Sequence, residues 1–448
     1  MVTVGKNARI AAQEISEISD SLVAKTLTLY SSRIKENKDK IVKANQEDIQ
    51  LALHNNASKA FIDRLTLNED RINSLQNVMI DIANQKSPVD QILETSVRPN
   101  GLEISKVTTP IGVIGVIFES RPNVFCDAAA LCLKSKNASI LKPGSDALKT
   151  VKVLYDLLAS AILDGKMPKN CVQLLGSGSR EEVKVLVNMI DYVDVVIPRG
   201  GKSLVEFIKN EAKVPVFAHL EGIVHIYIHH KADIDVTKAV VLNSKSRRPG
   251  ICGAVETLLI DKDFYNRHGN ELIDFLIAQG IEVRADKDLF NSKSVVSVTK
   301  EDYGFEFLEN ILAVKVVEDI DSAVSHIRHF GSNHTDCILT QDKSASDLFF
   351  KKLDSSILLC NASTQFADGG EFGFGAEIGI STNKLHARGP IGAQHLVSFQ
   401  YQVNGNGTLS NTLNNIQFTI EQISNRDTVI VLPGTYNENL FLDHLVLD

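Results

Sequence analysis

Residues 112–145 read GVIGVIFESRPNVFCDAAALCLKSKNASILKPGS, and this stretch decides the fold class. Gly112–Phe118 is an apolar, β-branched run of strand length. Val124–Ser135 is apolar and long enough for a helix, and Ala138–Leu141 is apolar again. A strand, a helix and a second strand in so short a span predict a βαβ unit, whose strands pair in parallel. The rhythm holds outward from there. Strands are predicted at Val172–Leu175, Val193–Ile197, Val214–Phe217 and Ile223–Ile228, and helices at Asp146–Leu163, Arg180–Ile190 and Lys202–Glu211. After Pro249 it restarts, with strands at Ala254–Ile260, Ala313–Val317, Thr335–Leu339 and Ile357–Leu359. The fold class is therefore α/β, with helix-covered parallel sheets in two units. Upstream, residues 7–84 carry three amphipathic helical stretches, and Pro99-Asn100-Gly101 opens a hairpin that leads into the first strand.

Composition narrows the function. At roughly 100–200 residues per domain, a chain of 448 residues makes two to four domains. Hydrophobic residues at 44% and charged residues at 23% exclude wholesale disorder. A net charge of −8 argues against a nucleic-acid partner, which is held by Lys and Arg on phosphates. Apolar runs such as Ile111–Phe118 are far shorter than the ~20 residues of a membrane-spanning helix, so no membrane partner is expected. The amphipathic, acidic N-terminus lacks the apolar core of a secretory signal. The six cysteines form no CxxC pair, so a reducing cytoplasm is the expected compartment.

Several motifs fail. Gly201-Lys202-Ser203 resembles the end of a phosphate-binding loop, but its first glycine would fall at Val196. Gly373-Phe374-Gly375 reaches Gly379 one residue too late for GxGxxG, and neither GxSxG nor HExxH occurs. His225, His229 and His230 cluster at a strand end without carboxylate or cysteine company, which favours packing, so no metal site is expected. Among the cysteines, 126, 132, 171, 337 and 360 lie in or beside apolar segments, where free cysteine acts as a small hydrophobe. Cys252 differs. It follows Lys245, Arg247 and Arg248 and sits between Gly250 and Gly253, where cations favour the thiolate and glycines allow close backbone approach. It is a candidate nucleophile; an ordinary loop cysteine is the alternative.

Residues 5–407 resemble the gamma-glutamyl phosphate reductase family of the aldehyde dehydrogenase superfamily. The likeness rests on the segment IGVIGVIFESRPNVFCDAAALCLKSKNASILKPGSDA, on DVVIPRGGKSLVEFI, RRPGICGAVETLL and ILAVKVVEDIDSAVSHI, and on FADGGEFGFGAEIGISTNKLHARGPIG, all in family order. It implies an aldehyde-dehydrogenase-like fold. A Rossmann-like NADP-binding domain would span 1–98 and 113–235, and an α/β catalytic domain 236–395. A β-hairpin oligomerisation arm would comprise 99–112 and 396–407. It also implies NADPH-dependent reduction of L-glutamyl 5-phosphate to L-glutamate 5-semialdehyde and phosphate through a cysteine thioester, the second step of proline biosynthesis from glutamate. A homo-oligomer, dimer or tetramer, and functional coupling to glutamate 5-kinase would follow. Residue by residue, the resemblance makes Cys252 the nucleophile and Asn123 the oxyanion donor, although Asn123 could instead cap the helix Val124–Ser135. Lys142 and Ser145 would meet the adenosine ribose, with the cation favouring NADP over NAD. Gly200 and Gly201, between a strand and a helix, would meet the pyrophosphate, and Glu306 the nicotinamide ribose. Arg121 and Arg388 would meet the substrate's anionic groups.

The chain departs from the family at Gln365, where arginine is common, at Gly253, where asparagine is common, and at Asn310, where proline is common. Glu221 lies where hydrolytic aldehyde dehydrogenases keep a base. An acyl-phosphate reductase needs none, so Glu221 receives no role. A hydrolytic aldehyde dehydrogenase and a catalytically degraded binding module remain the rival readings. Residues 408–448 extend past the family's usual end and resemble a fragment of a parallel β-helix, too short to bury a core alone.

Overall fold

The computed structural model describes residues 1–176, 179–290 and 294–407, so the proposed β-helix-like tail lies outside the described residues. The chain forms two compact units. One comprises Met1–Asp90 and Thr109–Ser398; the other comprises Gln91–Thr108 with the described residues from Phe399 to Gly407.

The larger unit holds two parallel sheets. In the first, neighbouring strands run in the order Val172–Leu174, Ala138–Pro143, Val113–Phe118, Val195–Arg199. The helix Asn123–Lys134 connects the middle pair, as the βαβ reading requires. Val113–Phe118 and Ala138–Pro143 are buried throughout, as expected of strands with both faces covered. Amphipathic helices supply the cover: Val2–Ser16, Asp20–Glu36, Lys38–His54 and Glu69–Asn84 place Ile15, Leu27, Ile34, Ile41, Ile72 and Met79 in the same core as these strands.

The second sheet runs Val296–Ser297, Glu282–Ala285, Ile311–Val317, Val255–Asp261, Val224–Ile228, Thr335–Leu339, Ile357–Cys360, with every neighbouring pair parallel. Three boundaries are corrected by this topology. Val224–Ile228, assigned above to a cofactor domain ending at 235, lies in the middle of the second sheet. Ala376, Ile378, Ala387, Ile391 and Leu396, assigned to the catalytic domain 236–395 or its arm, pack into the core of the first sheet. The strand Ile92–Val97, assigned to 1–98, pairs antiparallel with Glu103–Pro110, so the hairpin begins near Gln91 rather than at 99. A fourth difference concerns Val214–Phe217, which makes only one isolated bridge, Val196 to Val216. Pro215 interrupts it because proline has no N–H to give a ladder.

The smaller unit is a three-stranded sheet of Ile92–Val97, Glu103–Pro110 and Val397–Asn404. Among the described residues, no helix is long and apolar enough to cross a membrane.

One buried ion pair braces the loop between the helix Ile234–Ser246 and the strand Val255–Asp261. Lys245 Nζ donates to Glu256, and both side chains have no exposed area. Burial pushes the Glu256 carboxyl up to about 7 despite the pull of Lys245. A buried charge that loses its partner typically costs about 3–5 kcal/mol. Lys245→Met is therefore expected to lower stability by about that amount, read as a fall in the urea midpoint.

Candidate active site

Three neighbouring strands of the second sheet each have a reactive side chain just before their first residue. Cys252 precedes Val255–Asp261, His219 precedes Val224–Ile228, and His334 precedes Thr335–Leu339. Parallel strands bring like ends together, so the three side chains meet at one edge. Cys252 Sγ and one ring nitrogen from each histidine lie within 4.8 Å of one another. The two rings are edge-to-face, with centroids 5.0 Å apart. His219 Nδ1 is 2.7 Å from Ile380 O and His334 Nδ1 is 2.9 Å from Thr335 Oγ1, so both rings are oriented through the nitrogen remote from the main interaction.

The electrostatics of Cys252 set it apart. Burial alone would raise its thiol pKa. The charges of His334 and His219 beside it outweigh burial and hold the thiol well below the usual cysteine range. His219 responds in kind: burial pulls it down, but the thiolate leaves it above the ordinary histidine value. Cys171 and Cys337 show the opposite case, pushed up to about 12 by burial. All six cysteines are free. Gly222 explains part of the fit. A Cβ there would lie 2.7 Å from Cys252 Cα and closer still to its carbonyl, so the nucleophile's backbone packs directly on a glycine. The Gly222 N–H donates to Glu306 Oε1 at 2.9 Å, which brings Glu306 beside the same loop.

The first sheet contributes its carboxyl ends. Arg121 and Asn123 follow Val113–Phe118, Lys142 is the second-last residue of Ala138–Pro143, and Arg199 ends its strand, with Gly200 and Gly201 next. In open α/β sheets, ligands bind at such ends where the strand order reverses; here that point lies between Val113–Phe118 and Val195–Arg199. Burial, with Arg199 and Arg64 nearby, pulls the Arg121 guanidinium down to about 9, while the Cys252 charge pulls it up. Arg199 is 3.8 Å from Glu377, whose carboxyl is pushed up to about 7 chiefly by burial, against Arg199's pull. Cations and a thiolate thus face one another.

The sequence-derived residues fare unequally. Asn123 is the first residue of its helix rather than its cap. Pro122 holds the cap position, and the Asn123 amide donates to Asp127 Oδ2 at 3.1 Å. Ser145 is exposed and makes no capping bond; the neighbouring Asp146 carboxylate accepts from the Ser120 N–H instead. Gly201 caps the helix Lys202–Glu211, and its N–H donates to the Glu119 carboxylate. Glu119 also lies near Lys142, so an acid missed in the sequence sits between two proposed cofactor contacts. The Arg388 guanidinium is bonded to the Asp354 carboxylate and carbonyl, and Arg199 stands beside Arg121. Glu221 pairs with Lys202 at 2.9 Å. Gln365, in place of a common arginine, donates to Ser244 O at 2.9 Å and is buried. A Cβ on Gly253 would lie 3.1 Å from Thr364 O, leaving little room for a larger residue.

His219 and His334 were not singled out from the sequence. The one signal available was position: each lies a few residues ahead of an apolar strand, as Cys252 does. Because the thiolate is the reacting form, Cys252 alkylation by iodoacetamide should stay fast well below the ~8.5 pKa of a free thiol. His334→Ala removes the strongest lowering charge, so the pH profile should move upward and the rate at pH 7 should fall. An unmoved profile would show that the histidines do not tune the thiol.

The aldehyde dehydrogenase family model matches residues 4–289. The gamma-glutamyl phosphate reductase of Bartonella tribocorum is 46% identical over 406 residues, covering 90% of this chain and 99% of that protein. That of Bartonella henselae is 44% identical over 409 residues, covering 91% and 99%. The crystal structure of gamma-glutamyl phosphate reductase from Thermotoga maritima superposes with a TM-score of 0.88 at 34% identity, covering 92% of this chain and 99% of that one. With matches of this length over the segments that build the site, the chain belongs to the aldehyde dehydrogenase family, in the branch of the gamma-glutamyl phosphate reductases.

Proposed function

We propose that this protein reduces L-glutamyl 5-phosphate to L-glutamate 5-semialdehyde, the second step of proline biosynthesis, with Cys252 as nucleophile. The observation that carries the reading is a low-pKa thiol set among cations: His219 and His334 beside it, and Arg121 within electrostatic reach of it, of Arg199 and of Arg248. Such a site suits an anionic acyl donor. The Cys252 thiolate attacks the acyl carbon, a C–S bond forms, the bond from that carbon to the phosphate oxygen breaks, and phosphate leaves. One N–H of the Asn123 amide is held by Asp127, which orients the second toward the developing oxyanion. Arg121 and Arg199 receive phosphate or the substrate carboxylate, for which a guanidinium fork is well shaped. When thiolate leaves again as the aldehyde forms, the two imidazoles stabilise it.

The donor set fits a phosphorylated nicotinamide dinucleotide. Lys142 offers a cation for the adenosine ribose phosphate with Ser145 beside it, Gly200 and Gly201 open a helix, and Glu306 offers a carboxylate to a ribose hydroxyl. A Cβ on Gly200 would meet Leu204 and, at 2.8 Å, Glu119, so the backbone there stays bare. Bound NADPH supplies the hydride that turns the thioester into the aldehyde. We extend the proposal to the small sheet as an oligomerisation arm, because Ile92, Leu93, Val97, Tyr401 and Val403 are all exposed on it. A glutamate 5-kinase in the same cytoplasm would supply the short-lived acyl phosphate.

An NADPH-oxidation assay with acyl phosphate made in situ by a glutamate kinase tests the reading. Cys252→Ala should abolish turnover while cofactor still binds. Asn123→Ala should cost about 10²–10³ in kcat. In reverse, oxidation of glutamate semialdehyde should require phosphate; a rate unchanged without it would favour the hydrolytic aldehyde dehydrogenase instead. Lys142→Ala should narrow the preference for NADPH over NADH, measured as the ratio of the two kcat/KM values.

A further inference from the structure

The mechanism uses His219, Cys252 and His334 as a charge-stabilised nucleophile, but their geometry has a second consequence. Among the described residues this is the one group of three potential metal-ligand side chains whose donor atoms converge within 4.8 Å. Each histidine already has the second contact that metal-binding histidines use. His219 Nδ1 is held by a backbone carbonyl and His334 Nδ1 by a hydroxyl, which leaves Nε2 of each ring as the ligating atom. His334 Nε2 is buried and has no hydrogen-bond partner in the protein, while the ring's other nitrogen is taken by Thr335. A thiolate and two imidazoles, deprotonated as the metal binds, form a soft donor set that selects Zn²⁺ over Mg²⁺ or Ca²⁺, and three protein ligands leave a fourth position open. With Zn–S near ~2.3 Å and Zn–N near ~2.0 Å, tetrahedral ligands stand roughly 3.5 Å apart, so closure needs small side-chain rotations only. Glu306 and Glu377, which both feel the Cys252 charge, lower the cost of bringing in a dication, whereas Arg121 opposes it.

We propose that His219, Cys252 and His334 form a binding site for a soft divalent cation, Zn²⁺, that caps the nucleophile and reversibly silences the enzyme. The silencing half rests on the reading of Cys252 as nucleophile; the binding half does not. Binding changes no oxidation state. The Sγ–Zn and two N–Zn bonds form, and a proton held on an imidazole opposite the thiolate passes to solvent as that nitrogen takes the metal.

Cobalt(II) serves as the spectroscopic probe, added to the resting full-length protein without substrate or cofactor. A thiolate-to-cobalt charge-transfer band in the near ultraviolet is expected, displaced by Zn²⁺ and absent from Cys252→Ser, which keeps the side chain's size. His334→Ala should weaken cobalt binding by at least the ~10–100-fold seen when a supporting contact of a metal ligand is lost. No band, or a band that persists in Cys252→Ser, overturns the site. In the NADPH assay, Zn²⁺ should abolish turnover and a chelator restore it, while Mg²⁺ at the same concentration should not inhibit. Turnover untouched by Zn²⁺ in a protein that shows the cobalt band overturns the silencing role. The two readings fail separately. If the protein lacks reductase activity, the cobalt band is unaffected; if the metal site is absent, metal-free turnover is unaffected.

Discussion

A half-buried thiolate has to be stabilised by charge, and here the charge comes from the ends of parallel strands. Burial raises a thiol's pKa, and the other buried cysteines show how far. Cys252 escapes because strand polarity puts His219 and His334 at the starts of two adjacent strands in the sheet that also carries the nucleophile. Moving either histidine to the far end of its strand would remove one of the two charges that offset burial.

Both sheets obey the same rule at opposite ends. The first offers its carboxyl ends, with Arg121, Lys142 and Arg199 there, and glycines where backbone must approach a ligand. The second offers its amino ends with the thiol and imidazoles. The loop between Lys245 and Glu256 connects rigid scaffold to chemistry, and a buried ion pair closes its base. Glu256 also accepts a hydrogen bond from the Leu308 N–H, so the same carboxylate fixes the segment that presents Glu306. A fully buried pair is weak evidence for net stability. Its value here is positional: it holds the nucleophile's loop and the Glu306 segment in one register.

The sequence revealed the elements more reliably than their grouping. Strands and helices followed from apolar runs and their lengths, because burial dictates those patterns locally. Membership of a sheet is not a local property. Val224–Ile228 is buried on both faces, and a continuous apolar run carries no mark of which sheet it joins, so the boundary near 235 fell on the wrong side of it. Arg388 shows a related limit. An arginine beside Gly389-Pro390 has the right chemistry for an anion, but its bond to Asp354, distant in the chain, has no local mark.

Cys252 was legible because its promoters are partly local: glycines and cations within a few residues. His219 and His334 were not, because their effect on Cys252 exists only once three strands align. The same distinction bears on the departures from the family. Gln365 loses a charge, yet its amide reaches the Ser244 and Arg248 carbonyls across the nucleophile loop. The structural task of an arginine at that place, tying one segment to the carbonyls of another, is therefore met by a neutral donor. With Arg121 already within electrostatic reach of the thiol, the charge it would have added is the more dispensable part.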